Sequence, residues 1–112
     1  MQLGQASHRL LRRGRAPGSA IYVAAELEYN AGVIIGLADD LDALRAGISF
    51  TEWEAHRAEL ERSVLRRDAQ WNALLAVYDQ LDETVETGHA PPWVGRMIAL
   101  AHWIRDAVGP VS

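Results

Sequence analysis

Apolar residues return every three or four positions through most of this 112-residue chain, and nowhere do they alternate with a period of two. That period favours helices and leaves strands without support. The stretch Val23, Leu27, Ala31, Ile34, Ala38, Leu41 marks one helical face. With Ser19 as its cap, it predicts a long helix running to about Arg45. A shorter helix is expected before it, over residues 3–13, ending at Gly14 and followed by a turn at Arg15-Ala16-Pro17-Gly18.

The segment after the long helix reads as a corner. Gly47 is expected in the left-handed position that ends a helix. Ser49 and Glu52 form a candidate capping box, and Ile48 with Trp53 a candidate hydrophobic staple. From Phe50 to Thr87 the apolar positions Trp53, Leu60, Val64, Trp71, Leu75, Tyr78, Leu81 and Val85 follow a near-heptad course. This is either one helix or two joined by a bend near Arg67-Asp68, with Asp68 recapping the second; Gly88 ends it. His89-Ala90-Pro91-Pro92 is a stiff break. A final helix carries Trp93, Met97, Leu100, Ile104 and Val108 on one face, closed by Gly109-Pro110.

The expected fold is therefore all-α. It is either a histone-fold-like short-long-short arrangement with extra C-terminal helices, or a bundle of four or five helices. The length suits a single domain. Residues 1–18 form a basic arm and first helix, 19–65 a central helical core, and 66–112 a C-terminal helical extension.

The charges are unevenly placed. All 11 basic residues are arginines; the chain has no lysine. Arg9, Arg12, Arg13 and Arg15 precede Ser19 in a stretch without acids, whereas the remaining seven arginines face all 15 carboxylates. A cationic start on an acidic body suits an anionic partner for the arm and a poor nucleic-acid footprint elsewhere. The same basic, acid-free start also fits a targeting segment. Residues 20–38 are long and apolar enough to span a bilayer, but Glu26 and Glu28 would lie within the span at a cost of several kcal/mol. An intracellular location is expected, with no membrane contact.

No motif calls for catalysis or a cofactor. The chain has no cysteine, and His8, His56, His89 and His102 make no helical metal-ligand pair. Asp39, Asp40 and Asp42 cluster late in the long helix without the alternating oxygen ligands of a calcium loop, and read as a solvated face. No nucleophile elbow or phosphate loop occurs. No catalytic residue, metal, cofactor or small-molecule substrate is expected. Of the four tryptophans, Trp53, Trp71 and Trp93 fall on the apolar stripes and read as core; Trp103 lies off the stripe of the last helix and is a candidate partner contact.

His8-Arg9-Leu10-Leu11-Arg12-Arg13-Gly14 resembles the first helix of the 2A-type core histones, and the stretch from Ala20 to Tyr29 resembles the opening of their central helix. Ile34, Leu37 and Ala38 continue the likeness, which covers residues 8–38. The resemblance implies a handshake dimer, homo- or heterotypic, with Tyr22, Leu27 and Tyr29 near its seam. It implies that Arg9, Arg12, Arg13 and Arg15 contact DNA phosphates and the minor groove. The location would then be a nucleoid or nucleus. Without that resemblance, the acidic body and aromatic-rich second half point to a small helical interaction module of bacterial or phage type, located in the cytoplasm.

Overall fold

A computed structural model describes residues 15–89 and 94–109. The expected first helix, Arg9, Arg12, Arg13, Trp93 and Pro110 lie outside the described residues. The rest forms an all-α bundle with no strand among the described residues. Helix α1 spans Ala20–Leu37, α2 Leu41–Gly47, α3 Thr51–Glu61, α4 Gln70–Thr87 and α5 Val94–Val108, with a 3₁₀ turn at Val64–Arg67 between α3 and α4.

Helix α1 is the hub. Its most extensive contact is with α5, and it also packs on α2 and α3. Ala20, Val23, Ala24, Leu27, Ala31 and Ile34 are buried along it, and Met97, Leu100, Ala101 and Ile104 are buried along α5. The small alanines on both helices permit this close approach. The start of α1 lies beside the end of α5, where the Ala16 amide donates to the Ala107 carbonyl at 2.8 Å. Arg105 on α5 forms an ion pair with Glu28 on α1. Two further helices join through Arg45 of α2, whose Nε donates to the Val85 carbonyl of α4 at 2.6 Å.

The long helix expected to reach Arg45 is two helices. It stops at Leu37 because Asp40, in an extended conformation, starts a new one: its Oδ1 accepts the Ala43 amide at 3.1 Å. One residue of the exposed acidic cluster is thus also a cap. The break removes Ala38 and Leu41 from the buried stripe, and both are exposed. Ser19 does not cap α1 with its side chain; its hydroxyl donates instead to Glu59. Gly47 is not left-handed. It is the last residue of α2, where a Cβ would make a tight contact, 3.0 Å, with Cγ1 of Val33.

The region from Phe50 to Thr87 takes the bent alternative. The α3 helix ends at Glu61, and Asp68 Oδ1 accepts the Gln70 amide at 2.8 Å to start α4. Gly88 ends α4 at φ 79°, its amide donating to the Thr84 carbonyl at 2.7 Å. The last helix buries Met97, Leu100 and Ile104 as the period predicts. Helix α1 is the one described helix with the length and apolar composition of a membrane span.

Candidate interaction surface

Two polar residues four apart on α1, Glu26 and Asn30, are buried at 4% and 0% exposure. Four donors converge on the Glu26 carboxylate. The Glu52 amide and the Ser49 hydroxyl donate to Oε2 at 2.7 and 2.9 Å. The Trp53 amide and the Tyr78 hydroxyl donate to Oε1 at 3.0 and 2.8 Å. One turn further along, Asn30 pairs with the Ser49 backbone in both directions: the Ser49 amide donates to Oδ1 at 2.8 Å, and Nδ2 donates to the Ser49 carbonyl at 2.9 Å. Helix α3 is therefore capped by a side chain from another helix. The expected capping box is absent: Phe50 is the cap position and its side chain makes no cap bond, while Ser49 turns toward Glu26 and Glu52 lies 3.5 Å from His56. A carboxylate at a helix N-terminus meets free amides and the positive end of the helix dipole. No buried side-chain polar atom among the described residues lacks a partner.

An aromatic cluster sits beside this network. Trp53 stacks on Tyr78 with ring centroids 4.5 Å apart and planes at 7°, and Trp71 packs against Trp53 at 6.0 Å. The Arg57 guanidinium covers Trp53 at 5.4 Å. Burial first, and then the Glu26 charge, push the Tyr78 phenol well above its ordinary value.

The outward side of α1 differs from an ordinary solvated face. Tyr22, Tyr29 and Ile35 are 57%, 54% and 68% exposed. Between them lie exposed Ala25, Gly32 and Gly36, and nothing lies within 4 Å of a Cβ built on either glycine. The one charged side chain on this arc, Glu28, is already paired with Arg105. Tyr22 stacks on His56 at 5.5 Å. With Ala25, Tyr29, Ser49 and Glu52, it lines a cleft of about 380 Å³ floored by Glu26.

The sequence-predicted residues fall in different places. Tyr22 and Tyr29 share this outward face. Leu27 is wholly buried in the chain's own core, on the opposite side of the same helix. Trp103 is half-buried at a separate hollow of about 250 Å³ beside Leu65 and Ala107. Arg15 is exposed, its guanidinium beside Gly109. The described residues hold no group of three or more His, Asp or Glu side chains suited to a metal ion. Sequence reasoning missed Glu26 and Asn30; their signal was two polar residues four apart, on one helical face, in a mostly apolar helix.

Replacing Glu26 by alanine leaves four donors without their acceptor and is expected to cost about 3 kcal/mol in urea unfolding. Removing Glu28, whose ion pair is half-exposed, is expected to cost less than about 1 kcal/mol. Equal effects would contradict the assignment of Glu26 as the cap. Tyr78 predicts an alkaline limit. Its folded-state pKa is raised, so the folded chain keeps a proton that the unfolded chain releases near pH 10. The contribution is therefore fully present below that pH and lost as pH rises beyond it. Urea midpoints measured from neutral to alkaline pH should fall more steeply in the native chain than in Tyr78→Phe.

No family model, curated protein or solved structure matches this chain.

Proposed function

We propose that this chain is a small helical interaction module that binds a protein partner through the outward face of α1. The observation that carries the reading is that α1 is apolar on both sides. A helix that is apolar all round is ordinarily buried all round. Here one side is covered by α5, α2 and α3, and the other exposes Tyr22, Tyr29 and Ile35 around two open glycines. Tyrosines at the centre of such a patch provide large contact area and lose little rotamer freedom.

This reading is favoured over a histone-like handshake for a physical reason. A handshake uses the apolar stripe of the central helix against its partner. In this chain that stripe, including Leu27, is buried in the monomer's own core, where α1 packs most extensively on α5. DNA contact through Arg9, Arg12, Arg13 and Arg15 is a second reading, supported by the exposure of Arg15 and by the resemblance over residues 8–38. Its signature is duplex binding that weakens with salt and loses slope when the arginines become alanine.

The interaction reading is tested with a photo-crosslinking residue at Ala25, between the two tyrosines, in cells that naturally make the protein. A control places it at exposed Asp82 on α4. The expected result is one protein adduct from position 25, identified by mass spectrometry and lost on Tyr29→Glu. Adducts of equal yield from both positions, or none from position 25, would contradict it.

A further inference from the structure

We infer that the partner on the outward face of α1 is a second copy of this chain, packed antiparallel about a two-fold axis near Tyr29. The inference rests on the interaction reading above and names its occupant. Two properties of the face point to self-pairing. The first is shape. Bulk lies at the start and the middle of the helix, at Tyr22 and Tyr29, and open space follows at Gly32 and Gly36, with Ile35 at the edge of the same arc. A two-fold axis at Tyr29 places Tyr22 of one copy over Gly36 of the other and brings Ala25 beside Gly32. An isologous interface requires this kind of self-complementarity. Antiparallel packing leaves only Tyr29 against its own copy, at the axis; parallel packing would set Tyr22 as well as Tyr29 against its own copy and leave the glycines facing an empty gap.

The second property is charge. The helix is preceded by a cationic end, with Arg15 exposed and no acid before Ser19. It is followed by an anionic one, with Asp39 and Asp42 exposed. Antiparallel pairing sets each cationic end beside the anionic end of the other copy, and does so at both ends at once. On the outward arc of α1 between them the one charged side chain, Glu28, is held by Arg105. Both ends also favour opposed helix dipoles.

The absence of cysteine allows a direct test on the full chain. Sedimentation equilibrium is expected to move from 12.4 kDa toward twice that mass as concentration rises. Gly36→Trp, at a position with open space around it, should keep the native helical circular dichroism and weaken the dimer at least about tenfold, by overfilling the tyrosine's seat. High salt should weaken the native dimer several-fold. A single cysteine at position 29 should form a disulfide between copies, since a disulfide needs Cα atoms within about 7 Å. Tyr22→Cys should not self-link, because the two positions lie about 21 Å apart across the axis. A mixture of Tyr22→Cys and Gly36→Cys should link.

Monomer mass at every concentration overturns the inference, as does self-linking of Tyr22→Cys as fast as Tyr29→Cys. Binding to phosphatidylcholine vesicles that is lost on Ile35→Asp, without dimer, assigns the face to lipid and overturns it too. A heterologous adduct from Ala25 overturns the second copy as partner and leaves the interaction reading standing; no adduct from Ala25 removes both.

Discussion

The fold depends on one carboxylate that has left water. Glu26 sits on the hub helix, and its two oxygens take the places that a local cap would fill for α3. Each buried donor left without an acceptor costs about 1–3 kcal/mol, so this site is tolerated only with its partners in register. Asn30 extends the constraint by one turn. It holds Ser49 by both backbone groups and so fixes where the chain turns into α3. Tyr78 brings α4 to the same carboxylate. Three helices are oriented by a single acceptor, and the apolar contacts around it then close the core.

That constraint determines what α1 shows to the outside. With Glu26 and Asn30 turned toward α3, the adjoining outward arc carries Tyr22, Ala25, Tyr29, Gly32 and Gly36, and α5 covers the remaining apolar side. The exposed arc is thus a consequence of the network rather than a separate feature. A rotation of α1 that buried Tyr29 would pull Glu26 away from the amides of α3.

Much of the helical order was legible in local signals. Asp68 and Gly88 mark the start and end of α4 by chemistry contained within a few residues, and the stripe of α5 follows a simple period. Two of the failures have a non-local cause. The cap of α3 comes from 26 residues away, so a local Ser49–Glu52 pattern looked sufficient when the side chain that does the capping was elsewhere. Gly47 likewise resembled a left-handed terminator, whereas it closes α2 without a positive φ and lies close against the Val33 side chain of α1. Asp40 was the opposite case: a local cap signal masked by the apolar period that continued through Ala38 and Leu41. At the surface, Tyr22 and Tyr29 were legible as partner contacts only through a resemblance. Their shared exposure followed once Glu26 and Asn30 had fixed the rotation of the helix.

Amide hydrogen exchange at Glu52 and Trp53 tests the account most directly. The first amides of a helix are normally unpaired and exchange quickly. If Glu26 caps α3 from within the core, these two amides exchange only as slowly as global unfolding permits, alongside those of Leu27 and Leu81. Exchange at the rate of an open helix terminus, with the core amides still protected, would contradict the claim that the buried carboxylate organises the fold.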